Sequence, residues 1–327
     1  MHIRLFVTLL TLVSTNAFAQ ITVKDNNSKI PVSYATISFG DGYGVFADDN
    51  GYFSFSEKLY KDVDTLFISA LGYSNKTIAA NQLENTIFLE PEISKLNEVI
   101  ISGSRPKKFK VEKEKASIHG DYFKCWLPTI ESEIAVFCDN PDNRLKQLQN
   151  VIFPFLVESA DWEKRNSRSA VKRQFSTMFK VKFYASKNGY PGDELTYEEP
   201  IFVVNESIKN SFTLDVSDID LIVPKEGFFV SIQVMGYTDK TGKLLPNKKY
   251  KEIPSRNGIV KIPTNFRPLL PFTDEINGSN TFVKRTFIQN NNWVKFAKPQ
   301  VKDSKLLNDG NNNYGIGINY RVFKPNK

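Results

Sequence analysis

A chain of 327 residues with 41% hydrophobic and 24% charged residues has the composition of a globular protein, and at about 100–200 residues per domain it is expected to form two domains. Its net charge of +7 is unevenly split: residues 20–104 hold six Lys or Arg against eleven Asp or Glu, whereas residues 105–327 hold 36 against 25. It has two histidines, one of them His2 at the extreme N-terminus, and two cysteines with no C-x-x-C pair, which excludes zinc sites needing two or three histidines and disfavours a thiolate cluster.

Residues 1–19 read as a signal peptide. Arg4 supplies the positive start, residues 5–13 a short apolar core, and Ala17-Phe18-Ala19 an A-x-A cleavage signal, so Gln20 is the expected mature N-terminus. The apolar run is too short to span a bilayer, and no later segment is long and apolar enough for a transmembrane helix. The chain is therefore expected to be exported, to the periplasm, an outer-membrane-associated site or the cell surface.

Residues 20–103 read as a small all-β domain. Ile21-Thr22-Val23 opens it, and Asp25-Asn26-Asn27-Ser28 turns. Residues 31–39 alternate, with Ser33, Ala35, Ile37 and Phe39 on one side and Val32, Tyr34, Thr36 and Ser38 on the other. Val45-Phe46-Ala47 and Tyr52-Phe53-Ser54-Phe55 flank Asp48-Asp49-Asn50-Gly51, which is expected to close a hairpin. Residues 64–70, 86–89 and 96–101 complete a set of short strands that argues for a β-sandwich.

This pattern resembles the carboxypeptidase-regulatory-like family, a transthyretin-like β-sandwich. The matching features are Pro31 and Ala35, the D-x-x-G-x-F-like turn Asp49-Asn50-Gly51-Tyr52-Phe53, the element Phe67-Ile68-Ser69-Ala70-Leu71-Gly72-Tyr73, and the closing strands Ile87-Phe88-Leu89 and Leu96-Asn97-Glu98-Val99-Ile100-Ile101. The resemblance implies an accessory domain without catalytic residues of its own. Relatives of this domain also precede the plug and barrel of large outer-membrane nutrient receptors, and residues 96–102 are similar to the short segment such receptors present to an energy-coupling partner. The remaining length here is too short for a plug and a large barrel, and 96–102 is read more simply as a last strand.

Residues 104–117, Lys-rich and without apolar periodicity, are the expected linker, with an extended strand entering the next domain as the alternative. Residues 118–327 read as a larger, jelly-roll-like β-sandwich with strands near 133–138, 148–157, 175–186, 200–204, 212–216, 228–235, 258–262, 282–288, 293–296 and 315–323. Within them Phe179, Val181 and Phe183 are expected inward and Lys180 and Lys182 outward. Residues 144–150 are read as one short helical turn. The closing segment 315–323 also resembles the last strand of a small outer-membrane barrel, which makes such a barrel behind a periplasmic first domain the alternative architecture.

Little in the sequence points to catalysis, and the chain is expected not to be an enzyme. No G-x-S-x-G elbow or phosphate-cradling glycine loop is present. A Ser-His-Asp triad or a Cys–His pair would have to use His119, which reads as a surface residue, and Cys125 would be its nearest thiol. Carboxylate pairs such as Glu131/Glu133 or Glu198/Glu199 are read as solvated strand edges and loops. Asp48-Asp49-Asn50-Gly51 has a calcium-loop flavour without the terminal bidentate Glu, and no metal or cofactor is expected. An oxidising compartment permits a disulfide between Cys125 and Cys138 worth about 3 kcal/mol, two separate buried thiols being the alternative. Trp162, Tyr190, Tyr197, Tyr237 and Trp293 are the candidates to stack on a sugar or peptide, with burial in the core as the ordinary alternative. The functional expectation is an exported, non-enzymatic binding, adhesion or accessory protein of the bacterial cell envelope. Its partners would be a glycan, an envelope protein or the membrane surface; nucleic acid does not suit an exported protein.

Overall fold

The computed structural model describes residues 19–92, 108–158, 162–172, 174–247, 250–256, 258–288, 292–301 and 304–324. The leader up to residue 18, the expected strand at 96–101 and the first part of the expected linker lie outside them.

Among the described residues the first domain carries seven strands: β1 (Ala19–Asp25), β2 (Thr36–Gly40), β3 (Tyr43–Phe46), β4 (Tyr52–Phe55), β5 (Thr65–Ser69), β6 (Lys76–Ala79) and β7 (Thr86–Leu89). They form two sheets, β4-β1-β7 and β3-β2-β5-β6, with β1 parallel to β7 and antiparallel to β4. Alternation along each strand sends Ile21, Val23, Ile37, Phe53, Leu66, Ile68, Ile87 and Leu89 into one shared core. This is the β-sandwich expected from the sequence. The expected hairpin over 45–55 is not formed. β3 pairs with β2 and β4 with β1, so Asp48-Asp49-Asn50-Gly51 carries the chain from one sheet to the other. The Asp48 carboxylate organises this corner, accepting from the amides of Asn50 and Tyr52 at 2.9 Å each. Tyr34, expected in mid-strand, has φ 56° and delays the start of β2 to Thr36.

The second domain begins with β8 (Phe109–Glu114) and continues with β9 (Cys125–Trp126), β10 (Ser132–Cys138), β11 (Lys146–Pro154), β12 (Ser176–Lys187), β13 (Tyr190–Glu194), β14 (Ile201–Asn205), β15 (Ser211–Asp215) and β16 (Phe228–Tyr237). Then come β17 (Lys251–Ser255), β18 (Gly258–Ile262), β19 (Leu270–Thr273), β20 (Thr281–Arg285), β21 (Val294–Lys295), β22 (Asn313–Tyr314) and β23 (Gly317–Phe323). A seven-stranded sheet runs β13-β12-β16-β10-β20-β21 with β14 beside β13 along the same edge of β12, and a four-stranded sheet runs β15-β11-β23-β8. Phe179, Val181, Phe183, Val230 and Ile232 from the first pack with Leu148, Val151, Phe153, Ile318 and Tyr320 from the second in one buried cluster. The result is a jelly-roll-like double sheet.

Three expectations need correction here. Residues 109–114 of the expected linker are a strand, which is the alternative stated for this segment, paired with β23 from Phe109↔Phe323 to Glu114↔Ile318. The expected helical turn at 144–150 leads into β11, whose polar look comes from the buried Lys146 and Gln147 and from the partly exposed Gln149 and Asn150 at a bulge between Leu148 and Asn150. The segment expected as the closing strand of a barrel, β23, lies inside an open sheet with its apolar side chains turned into the core, and the described sheets have free edges rather than closing on themselves. Among the described residues no helix is long and apolar enough to cross a membrane.

The two domains are docked on each other. Gly44 of β3 lies so close to the second domain that an added Cβ would overlap the Phe287 ring, as well as the Ile37 carbonyl oxygen of the neighbouring strand. Ser38 Oγ donates to the Phe287 carbonyl at 2.6 Å, and the Phe46 and Phe287 rings lie 5.3 Å apart. Tyr250, from the second domain, belongs to the first domain's core, 4.6 Å from the Tyr43 ring. Its hydroxyl donates to Asp62, which also receives Lys261, whose ammonium stands over the Tyr43 and Tyr250 rings. Burial works to raise Asp62, but Lys261 and Tyr250 outweigh it and hold the carboxyl at about 2.

Candidate functional site

The site is built on β12. Its inward residues Phe179, Val181 and Phe183 are core. The residues between them, Lys180, Lys182 and Tyr184, share the sheet's other face, as the sequence alternation requires. That face is not simply solvent. β13 and β14 pair with opposite ends of β12, and the segment joining them crosses its middle, held by hydrogen bonds from Val181 N to Pro200 O and from Leu195 N to Phe183 O. The crossing brings Glu199 to Lys180 at 2.9 Å and to Lys182 at 2.6 Å, while Glu194 takes Lys182 at 2.8 Å. Lys180, expected outward, is only 2% exposed, and its ammonium also lies 3.4 Å from the Tyr34 carbonyl of the first domain. Burial opposes ionisation of Glu199, but Lys182 and Lys180 outweigh it and hold the carboxyl at about 2. Burial likewise works against the Lys182 charge, yet Glu199 and its neighbours leave that ammonium well above the ordinary lysine value; for Lys180 burial prevails and lowers it.

Two clefts flank this charged centre. One, of about 510 Å³, lies between the domains. Its walls are Pro31, Tyr34, Ser69 and Tyr73 of the first domain and Lys182 and Tyr197 of the second. The other, of about 440 Å³, lies toward the far end of β12 and is lined by Tyr184, Tyr190, Pro191, Gly192, Lys284, Asn292 and Trp293. Here Trp293 stands edge-on to Tyr184 with centroids 5.5 Å apart, and Tyr190 edge-on to Phe282 at 5.3 Å. The Lys284 ammonium lies 4.6 Å from the Trp293 ring centroid and 3.1 Å from Glu133. Glu133 is 2% exposed, and its other oxygen accepts from Tyr184 Oη and Ser231 Oγ at 2.7 Å each. Burial would raise Glu133, but Lys284 and Lys182, with those two hydroxyls, hold it below the ordinary carboxylate value. The cleft is therefore aromatic and polar, with the Lys284 charge neutralised from beneath by Glu133.

Of the aromatic candidates, Tyr190 and Trp293 meet in the second cleft and Tyr197 lines the first. Tyr237 instead packs on Phe266, centroids 4.7 Å apart, and Trp162 sits under Lys172 elsewhere. Of the carboxylates expected to be solvated, Glu198 is exposed, but Glu131, Glu133 and Glu199 are not. Glu133 and Glu199 are held as described, and Glu131 is 5% exposed beside a cavity of about 20 Å³ at the domain junction. Burial raises the Glu131 carboxyl, and its Oε2 has no hydrogen-bond partner. His119 is half-buried: Nδ1 accepts from the Asp121 amide at 3.2 Å, so Nε2 carries the proton and donates to the Phe272 carbonyl at 2.7 Å. Cys125 donates to the Asp121 carbonyl, and burial pushes its thiol up to about 12. Of the two states considered for the cysteines, a disulfide or two separate thiols, the structure has the second. Cys125 and Cys138 are both free, because β9 pairs with β19 in a separate small sheet while Cys138 ends β10 and turns into the core. The Asp48 carboxylate, considered for calcium, is taken by its own turn and by Lys243 at 3.4 Å. No group of three or more potential metal ligands occurs among the described residues. Sequence reasoning missed Lys284 and Tyr184; the cross-strand register Glu133↔Lys284 places the lysine, and Tyr184 reaches the same spot from β12.

Residues 22–101 match the family model of the CarboxypepD_reg-like domain, so the first sandwich is a domain of that kind, as its motifs suggested. The element Ser69-Ala70-Leu71-Gly72-Tyr73 and Pro31, which carry part of that likeness, line the interdomain cleft. No match is found among the curated proteins. A similar solved structure comprises the cysteine protease and lectin-like domains of Cwp84, a surface layer associated protein of Clostridium difficile. It is 10% identical, with a TM-score of 0.32, and the match covers 89% of this chain and 59% of that one, a likeness too distant to bear on activity.

Proposed function

We propose that the protein is an exported, non-enzymatic accessory of the cell envelope that binds a glycan, with the Tyr190–Trp293 cleft as its binding site. The observation that carries this reading is the convergence of an exposed Tyr190 (45% exposed) and a half-buried Trp293 on one cleft whose cation is neutralised by Glu133. Aromatic faces beside a few fixed polar groups suit the apolar and hydroxyl faces of a sugar ring. The N-terminal leader supports export. Two observations support binding over reaction: Cys125 is a thiol held far from its reactive form, and His119 spends both ring nitrogens on backbone groups.

Affinity electrophoresis through gels carrying neutral or acidic polysaccharides tests the reading. The wild-type protein is expected to be retarded by at least one glycan, and Trp293→Ala to weaken that retardation at least about tenfold, or about 1.4 kcal/mol. Equal mobility of the two proteins on every retarding gel would remove the cleft as the site.

A further inference from the structure

The two clefts share one strand face. Lys180 and Lys182 line or floor the interdomain cleft, and Tyr184 the aromatic one. Four residues of strand separate Lys180 from Tyr184, a distance of about 13 Å. Glu194 of β13 lies opposite Tyr184 and lines the interdomain cleft, while Tyr190, Pro191 and Gly192 of the same strand line the aromatic one. The Lys182–Glu194 pair thus stands between two halves of a continuous face. An aromatic ring marks each half, Tyr197 (66% exposed) in one and Tyr190 with Trp293 in the other.

The lysines that line the two clefts are all paired: Lys180, Lys182 and Lys284 are bonded to Glu199, Glu194 and Glu133. An acidic chain would find no unpaired lysine in the lining of either cleft, in contrast to the basic excess of the domain as a whole, although Lys187 and Lys295 stand at the margin of the aromatic one. What the face offers is ring surfaces, the remaining N–H groups of paired lysines, and the backbone and hydroxyls of the first domain's wall, including Ser69 and Ser33.

We infer that the two clefts are subsites of one groove for an uncharged, linear polysaccharide, and that the docked first domain forms a wall of the second subsite. This rests on the aromatic cleft being a glycan site. A short oligosaccharide occupies the Tyr190–Trp293 end; a longer one extends past Lys182 to Tyr197 and the Pro31 and Ser69 segments. The first domain therefore acts in recognition and not only as a spacer.

Isothermal titration of the full-length mature protein with chitin oligomers and neutral glucan oligomers, each from dimer to hexamer, tests this, with oligogalacturonates as the acidic arm. For one neutral series the wild type is expected to gain at least about tenfold in affinity from dimer to hexamer. Tyr197→Ala, a change at an exposed position, is expected to keep dimer binding and lose most of that gain, with Tyr197→Phe retaining it. An unchanged length dependence in Tyr197→Ala overturns the extended groove while leaving the aromatic site standing. Trp293→Ala binding every oligomer as the wild type does overturns the site itself. Preference for the acidic series, with affinity falling steeply in salt, overturns the uncharged ligand. Failure of every oligomer to bind overturns both.

Discussion

The two faces of β12 carry opposite solutions to burial. On one, Phe179, Val181 and Phe183 lie in the main core with nothing polar to satisfy. On the other, Lys180 is covered almost as well and Lys182 in part, yet each takes a carboxylate from the crossing segment. The apolar face gains stability from every atom it buries. The charged face gains little net free energy, because desolvation of the ions offsets most of their attraction. Its consequence is positional: it fixes where the segment 195–200 lies, and with it Tyr197 and the edge of the groove. A buried ionic layer beneath an open cleft thus marks a surface whose shape matters more than its contribution to folding.

Substitutions on the two faces test that difference. Phe179→Ala is expected to cost the most, about 3–5 kcal/mol in chemical denaturation, as a large side chain leaves a closed core. Glu199→Gln comes next at about 3 kcal/mol, because it leaves the buried Lys180 without a carboxylate, while Lys182 keeps Glu194. The Lys180→Met, Glu199→Leu double variant should recover most of that loss while altering ligand binding; if it remains as unstable as Glu199→Gln, the charged face contributes to stability in its own right. The sign of the pH dependence follows from Glu199's lowered value. Its stabilisation is complete above 4.5 and is lost as pH falls toward about 2, so a pH series of unfolding midpoints should show an acid limb that Glu199→Gln weakens.

Smaller effects are expected where the domains meet. Ser38→Ala removes the bond to the Phe287 carbonyl and should lower stability by about 1 kcal/mol. Glu131→Gln should act in the opposite direction. Burial raises the Glu131 carboxyl, with Tyr43, Tyr60 and Tyr250 around its cavity and Arg285 as the opposing charge. The folded state therefore holds this proton longer than the unfolded chain, and stability declines as pH rises above 4.5 through the folded value. The variant should be more stable than the wild type at neutral pH and equal to it in mild acid; the reverse order in a thermal scan would show that the carboxylate is stabilising there.

Strand placement was legible wherever one face alternated. Phe179, Val181 and Phe183 located β12, and the run at 228–235 located β16. What failed was partner choice. Asp48-Asp49-Asn50-Gly51 satisfies the same local hydrogen bonds whether its flanks pair with each other or leave for different sheets, so the residues alone could not exclude a hairpin. β19 was missed because it carries Pro271, and β8 was left open between linker and extended strand because it is Lys-rich at the sheet edge. The site was legible as residue types only. Tyr190 and Trp293 stood out as aromatic, but their meeting depends on β13 and β20–β21 lying on one sheet. Lys180 read correctly as pointing away from the core; its coverage by Glu199 and Tyr34 is a tertiary effect with no local signal.

The placement of Tyr250 bears on how the N-terminal module can be handled. Its ring completes an interior that the family match, ending at residue 101, does not contain. A fragment cut at that boundary would expose a notch beside Tyr43 and Tyr60 and leave Asp62 without Lys261. Grafting the module onto another carrier would therefore call for a substitute plug, either a bulkier side chain at the rim or the 250–262 hairpin transplanted along with it.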